Sequence, residues 1–336
     1  MKRILVTSVN WLGDVVFSTP VYRALKEHFP GVKVVVLAVP RVKDVLAMCP
    51  DIDEVIVYDE EGADRPLVDK ARMALRLRAY RFDTVFFLRP SFSRALLACA
   101  AGIPLRIGFR TKNLFNVVNH PVDDAGLDDI HRADVYLTLL ERYGLPVRER
   151  SCRLSLKDAQ REIADRLLNA RGIGPGNTYC VLNTGGNWDL KQWPWDRFAA
   201  LARLISEDKG LKIVFTGGPQ DTGRVSRIVM TLGTSAVDLT GATDLPVLAA
   251  VFVRARCVIS ADSGPLHLAS AMGVRTVAIF GPTRPEITGP RGTGRSSILF
   301  CDVGCNKAPC YYLECPDNRC MKAVEVADVV KAVRAC

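Results

Sequence analysis

Short apolar runs alternate with amphipathic stretches along this chain. Residues 4–7, 33–39, 55–58, 84–88 and 105–108 are rich in Val, Ile, Leu and Phe, with little two-residue alternation. That pattern predicts strands of a parallel sheet covered on both faces. Residues 15–28 and 42–48 carry a helical pattern between them. A polar helix is predicted over about 157–169, and the segment RGIGPGNT at 171–178 then holds three Gly and one Pro. It is the linker candidate. Beyond it the rhythm restarts. Residues 179–182, 212–216, 237–239, 257–260 and 276–280 read as strands. Helices are predicted near 195–207, 220–232, 246–254 and 265–272, and a last one over 324–334 that could pack on either half. Strand and helix in alternation is the α/β class, here in two doubly wound halves. Ligands of such sheets sit at the carboxyl ends of the strands, so a cleft between the halves is the expected site.

Length agrees with this division. A chain of 336 residues exceeds the ~250–300 at which single cores stop growing. With 49% hydrophobic and 24% charged residues, the composition is globular. The longest apolar runs, 34–39 and 247–253, fall far short of the ~20 residues of a membrane-spanning helix. The start reads Met-Lys-Arg with only Ile4, Leu5 and Val6 before polar residues. No signal peptide is visible, and a cytoplasmic location is expected.

Net charge is +9, unevenly spread. Residues 65–110 hold ten bases, among them Arg65, Arg72, Arg76, Arg89 and Arg94, against Asp69 and Asp83 alone. Such a stretch is either a solvated helix face or a field that attracts phosphates, nucleic acid or anionic lipid headgroups.

The loops after the strands narrow the chemistry. No G-x-G-x-x-G follows the first strand and no G-x-x-x-x-G-K-[ST] occurs, which argues against a dinucleotide site there and against a P-loop nucleotidase. The first loop is Ser8-Val9-Asn10-Trp11-Leu12-Gly13-Asp14. Asp14 is either a helix cap or a carboxylate free to act as a general base. In the second half, Thr184-Gly185-Gly186 follows a strand, and Gly-rich backbone lets amides approach an anion. Lys191 follows among three tryptophans, Trp188, Trp193 and Trp195, which read as an edge of the core. Thr216-Gly217-Gly218-Pro219 ends another strand. The run Ser260-Ala261-Asp262-Ser263-Gly264-Pro265-Leu266-His267 has two good caps, a Pro suited to the first helical turn, and a His one turn in. His267 is either a satisfied half-buried residue or a ligand contact. Together these turns favour a nucleotide or a sugar diphosphate.

Of 11 cysteines, Cys301, Cys305, Cys310, Cys315 and Cys320 fall at spacings of four and five. Zinc sites usually begin with closer pairs. The density still makes Cys305, Cys310, Cys315 and Cys320 candidate ligands of a structural Zn or Fe. The alternatives are free thiols or a disulfide formed on isolation. The other six cysteines read as packing residues.

At these motifs the sequence resembles glycosyltransferase family 9, the ADP-heptose–lipopolysaccharide heptosyltransferases, with most flavour of the second inner-core enzyme. The segments that carry the likeness, in order, are ILVTSVNWLGDVVFSTPVYRALKEHFP, LRPSFSRALLACAAGIPLRIGFR, NTGGNWDLKQWPWDRFAALA, FTGGPQD, DLTGATDLPVLAAVF and SADSGPLHLASAMGVRTVAIFGPTRPEITGP. The resemblance implies a GT-B fold, two Rossmann-like doubly wound domains with an interdomain cleft. It implies residues 1–170 as the acceptor-binding domain, 178–320 as the nucleotide-sugar-binding domain and 321–336 as a C-terminal helix. It implies inverting transfer of heptose from ADP-heptose to the inner core of lipopolysaccharide, with no cofactor required. Asp14 falls on the family's base. Thr184, Gly185, Lys191, Asp262, Ser263, Gly264 and His267 fall on its donor site, and Asp221 is the nearest candidate for a ribose contact. Asn10, Gly13, Arg89, Ser91 and Arg94 are the candidate acceptor contacts. The resemblance implies a glycolipid acceptor, and with it a place at the inner face of the inner membrane.

The chemistry of the residues agrees. A nucleoside diphosphate is already a good leaving group, so one base and one cationic pocket suffice where a glycosidase needs two carboxylates. Two readings compete, beside a non-catalytic nucleotide-binding sensor against which Asp14 argues only weakly. One is a family 9 enzyme with another nucleotide sugar, or another glycan or protein acceptor. The other is a nucleic-acid-binding protein with a Cys-rich metal module. The basic stretch has few interleaved aromatics and no recognition motif, so no nucleic-acid partner is expected.

Overall fold

The computed structural model describes residues 1–111, 117–186, 188–207, 210–310 and 315–336. The chain divides into two compact units, Met1–Leu154 and Ser155–Cys336.

The first unit holds strands β1 (Arg3–Thr7), β2 (Lys33–Ala38), β3 (Glu54–Val57), β4 (Thr84–Phe87), β5 (Leu105–Phe109) and β6 (His120–Val122). Its helices are α1 (Leu12–His28), α2 (Lys43–Leu46), α3 (Leu67–Tyr80), α4 (Phe92–Ala100) and α5 (Arg132–Tyr143). The strands are all parallel, in the order β3-β2-β1-β4-β5-β6. Successive side chains of a strand point to opposite faces. Leu5, Val35, Val85 and Phe87 therefore meet Met73 and Leu77 of α3 and Ala95 and Ala98 of α4 in one cluster. Phe86, on the other face, meets the ring of Tyr143 of α5 edge-on at 5.7 Å. This is why the strands read as continuous apolar runs.

The second unit repeats the plan. After α6 (Asp158–Ala170) come β7 (Thr178–Asn183), α7 (Trp195–Ser206), β8 (Leu211–Thr216), α8 (Thr222–Leu232), β9 (Ala236–Asp238), α9 (Leu245–Arg254), β10 (Cys257–Ala261) and α10 (Gly264–Ala271). Then follow β11 (Thr276–Phe280), α11 (Pro285–Thr288), β12 (Ser296–Phe300), α12 (Arg319–Lys322) and α13 (Val326–Arg334). The sheet order is β12-β11-β10-β7-β8-β9, again parallel throughout. Counted within the unit this is 3-2-1-4-5-6, the same doubly wound order as in the first unit.

The strands lie where the apolar runs put them, to within a residue or two. Several elements had no pattern strong enough to read: α3 to α5, β6 and β12. The boundary also differs. The Gly-rich segment at 171–178, expected as the linker, lies inside the second unit. Amphipathic α6 buries Ala164 and Leu168 and packs against α9. Arg171 Nη1 then donates to Asp238 O at 2.7 Å, and Lys212 Nζ to Gly172 O at 2.8 Å. Those bonds attach the segment to strands that come later in the chain, which local composition cannot reveal.

The C-terminal helix α13 packs on α7, β11 and β12. Its approach is fixed by Trp193, which is wholly buried rather than at a core edge. The indole Nε1 donates to Val324 O at 3.0 Å, and Arg197 Nη1 donates to the same carbonyl at 2.5 Å. Among the described residues no helix is long and apolar enough to cross a membrane. Replacing Trp193 by Ala is expected to cost about 3–5 kcal/mol. Denaturant unfolding checks the loss, and faster amide exchange across α13 checks that this helix loses its anchor first.

Candidate functional site

Each unit brings its own set of side chains to the carboxyl ends of its strands. In the first unit, β1 runs into Ser8, Val9 and Asn10, and α1 begins at Leu12. The cap position of α1 is Trp11, which makes no side-chain cap bond. Asp14 lies in the first turn, and its Oδ1 accepts a hydrogen bond of 2.9 Å from the Tyr136 hydroxyl. Asp14 is thus not a cap. Tyr136 stands on α5, buried, at a distance in sequence that no local motif signals. Burial, then the negative charge of Asp14, push the Tyr136 hydroxyl well above its ordinary pKa, against the nearby charges of Arg132 and Arg89. Tyr136 therefore keeps its proton and acts as a donor.

The loop before α1 is clamped by a buried arginine. Arg94 on α4 is 4% exposed. Its Nη1 donates to Ser8 O at 2.5 Å, and its Nη2 donates to Asn10 Oδ1 at 2.9 Å and to Glu60 Oε1 at 2.8 Å. Ser93 Oγ donates to the other Glu60 oxygen at 2.6 Å. Arg41 Nε donates to Asn10 O at 2.8 Å and its guanidinium lies 4.3 Å from the Trp11 ring centre. Ser91 is the cap of α4, accepting from Arg94 N. Of the five candidate acceptor contacts, Arg94, Ser91 and the Asn10 side chain thus bond within the protein. Gly13 lies in the first turn of α1 beside Asp14, and Arg89 is exposed just after β4. Glu60 gave no signal in the sequence, because a carboxylate in a polar loop looks like any solvated one.

The second unit centres on Asp262, just beyond β10. The sequence suggested a helix cap. Instead Ser263 holds the cap position of α10, without a side-chain cap bond, and the carboxylate of Asp262 gathers four partners. Lys191 Nζ donates to Oδ2 at 2.7 Å, Thr283 Oγ1 at 2.6 Å and Thr288 Oγ1 at 3.3 Å. His267 Nε2 lies 3.2 Å from Oδ1. Burial works to raise the pKa of this carboxyl. The His267 bond and charge, with Lys191, outweigh it and hold the group well below the usual carboxylate range. Lys191 also sits 5.1 Å from the centre of the Trp188 ring, a cation–π contact that steadies the ammonium.

Beside this, the ends of β7 and β8 converge. Thr184 Oγ1 donates to Thr216 O at 3.3 Å. Gly218 N donates to Asp221 Oδ2 at 2.9 Å. A methyl group on Gly217 would meet Asp221 Oδ2 at 2.6 Å and Thr184 Oγ1 at 3.0 Å, and one on Gly185 would meet Gly217 Cα at 3.0 Å. The glycines are what let the two loops close on each other. Burial pushes the Asp221 carboxyl up, with Gly218 N–H and Arg224 opposing. Thr184, Gly185 and Asp221 therefore form one group, and Lys191, Asp262, Ser263, Gly264 and His267 another, all at the carboxyl ends of β7, β8 and β10.

The sequence profile of glycosyltransferase family 9 (heptosyltransferase) matches residues 70–319. The chain belongs to glycosyltransferase family 9. It is a glycosyltransferase with the two-unit α/β fold of the GT-B class. Lipopolysaccharide heptosyltransferase 2 of Escherichia coli K12 is 25% identical over 306 residues, covering 86% of this chain and 85% of that protein. The crystal structure of a family 9 glycosyl transferase from Veillonella parvula superposes with a TM-score of 0.86 at 27% identity, over 99% of this chain and 96% of that one. The structure of E. coli ADP-heptose LPS heptosyltransferase II superposes with a TM-score of 0.82 at 22% identity, over 100% and 98%.

The cysteine expectation needs correction. Among the described residues no three His, Cys, Asp or Glu side chains gather as a metal site. Cys305, Cys310, Cys315 and Cys320 are unbridged and lie in unlike surroundings: Cys310 is buried, Cys315 exposed, and the other two between. Cys310 N donates to Pro282 O at 2.7 Å. Zn or Fe at these four is not supported among the described residues.

The buried Asp262 gives a pH prediction. Its folded-state pKa is depressed, so its stabilisation is complete above the unfolded value of about 4 and is lost as pH falls through the folded value. Asp262→Asn should lower the unfolding free energy by about 3 kcal/mol at neutral pH. Unfolding midpoints followed from neutral pH down to about pH 3 should fall less steeply in the variant than in the parent.

Proposed function

We propose that this enzyme transfers heptose from ADP-heptose to a sugar hydroxyl of the lipopolysaccharide inner core, with inversion at the anomeric carbon and Asp14 as general base. The named relatives, a lipopolysaccharide heptosyltransferase 2 and an ADP-heptose LPS heptosyltransferase, support the substrate pair. The observation that carries the reading is Asp14 itself. It lies in the first turn of the helix that follows β1, is not used as a cap, and has one carboxylate oxygen fixed by Tyr136.

The acceptor hydroxyl gives its proton to the other Asp14 oxygen as its oxygen attacks the anomeric carbon. The bond from that carbon to the β-phosphate oxygen breaks, and ADP leaves with the electron pair. Tyr136, kept protonated, holds the carboxylate in one orientation and does not compete as a base. Arg94 and Glu60 hold the backbone that carries Asp14 in place. Arg89 meets the acidic groups of the acceptor.

On the donor side, Lys191, Ser263, Gly264 and His267 stabilise the departing diphosphate, Thr184 and Gly185 line it, and Asp221 takes the ribose. A bare ammonium 4 Å from a phosphate is worth ~4 kcal/mol at an effective dielectric of 20, against at most ~2 for a helix end. With Asp262 only 2.7 Å from Lys191 Nζ, part of that advantage is cancelled. The open start of α10 then matters more than charge counting alone suggests.

Asp14→Asn should leave ADP-heptose binding intact and lower kcat by ~10²–10⁴. Tyr136→Phe should lower kcat on the order of tenfold with little change in acceptor KM, because it loosens the base without touching the substrate. Incubation with ADP-heptose and a truncated core acceptor, followed by mass spectrometry, checks the product. Near-normal transfer by Asp14→Asn rejects the base. Faster transfer from another nucleotide sugar rejects the donor.

A further inference from the structure

Helices α3 and α4 each have two apolar faces, and the sheet uses only one. Met73 and Leu77 of α3, with Ala95 and Ala98 of α4, are buried in the first core. On the outer side Leu67, Val68, Leu75, Phe92 and Leu96 are 52–82% exposed. Leu67, Ala71 and Leu75 follow one another at four-residue intervals, and so do Phe92 and Leu96. Each set therefore forms a single stripe. The two helices pack against each other on the same face of the sheet, which brings both stripes to one side of the first unit.

A stripe of large apolar side chains open to water is unfavourable for a solvated helix, and it is the mark of a docking surface. The charges around it say what docks. Between residues 65 and 81 stand Arg65, Lys70, Arg72, Arg76, Arg78 and Arg81 against Asp69 alone. Arg78 lies three residues beyond Leu75 on the same stripe, and Arg72 and Arg76 flank it. Asp69 pairs with Arg72 at 2.6 Å, which leaves the excess with the others. Long basic side chains can lay their stems along an apolar surface while the charged heads stay in a polar layer. Leu and Phe on one face with Arg and Lys at its rim is the pattern of a helix lying in the plane of a bilayer interface. A nucleic acid would match the charge but leave the leucines uncovered.

We infer that the outer face of α3 and α4 seats the enzyme on an anionic lipid bilayer, with Leu67, Leu75, Phe92 and Leu96 entering the headgroup boundary and the surrounding arginines meeting lipid phosphates. This deepens the proposed function, since a lipid-borne acceptor is met at such a surface, and it rests on that reading only for its purpose. The surface itself rests on exposure, periodicity and charge.

Sedimentation of the full chain with vesicles tests it. The parent should partition onto phosphatidylcholine vesicles containing phosphatidylglycerol, weakly onto phosphatidylcholine alone, and less as salt screens the charges. A Leu67→Ser, Leu75→Ser, Leu96→Ser variant should lose on the order of tenfold in partition per side chain. Its fold should be kept, because exposed substitutions change stability little. Arg76→Gln with Arg78→Gln should lose about fivefold per charge. The inference is overturned if the parent stays in solution with anionic vesicles or if the triple serine variant partitions like the parent. It is also overturned if the serines instead abolish a dimer of the parent, which would make a second copy the occupant. Transfer to a lipid-free, phosphorylated core oligosaccharide separates the two proposals. The triple serine variant should match the parent there. A parent that binds vesicles yet transfers nothing to that acceptor overturns the proposed activity and leaves the surface standing.

Discussion

A single buried carboxylate organises the second unit. Asp262 is cut off from water, and an unpaired charge there would be untenable. It is tolerated because Lys191, His267, Thr283 and Thr288 all converge on it. Those four come from the turn after β7, from α10 and from the segment after β11. Satisfying one charge therefore fixes the mutual placement of three strand ends. The same requirement restrains Lys191, an otherwise flexible side chain, at the place where the proposed chemistry needs a cation.

The first unit solves a like problem with the opposite charge. Arg94 is buried, and its guanidinium is met by Glu60, by Asn10 and by a backbone carbonyl of the β1–α1 loop. That loop leads directly to Asp14. Tyr136 then fixes the carboxylate from another helix. In both units the residue nearest the proposed reaction is held by a group that gains its own stability from the arrangement. Breaking either buried pair is costly, since the remaining partner is left charged in a dry place.

Several positions that sequence reading singled out have partners in the structure that the sequence did not show. Asp14 stands free of the cap. Asp262 suggested a cap and proves to be a hub. Arg94, a candidate acceptor contact, also clamps the loop before α1. The cysteine tail suggested a metal, and among the described residues no group of three potential ligands gathers. For Asp14 and Asp262 the residue type and its place shortly after a strand were legible. Its partner was not, because Tyr136, Glu60, Thr283 and Thr288 are remote in sequence and ordinary in local context.

What the sequence determined by itself is what depends on near neighbours. Apolar runs bounded by Gly and polar turns placed the strands, and their lack of alternation predicted parallel sheets covered on both faces. The family motifs, which sit at strand ends where Gly permits close backbone approach, were readable for the same reason. Tertiary structure alone decided which charges are buried and by whom they are neutralised. It also decided that the 171–178 segment belongs within the second unit, and that α3 and α4 keep an apolar face uncovered. Those outcomes depend on contacts between residues far apart in the chain, and burial of a charge depends on all of its surroundings at once.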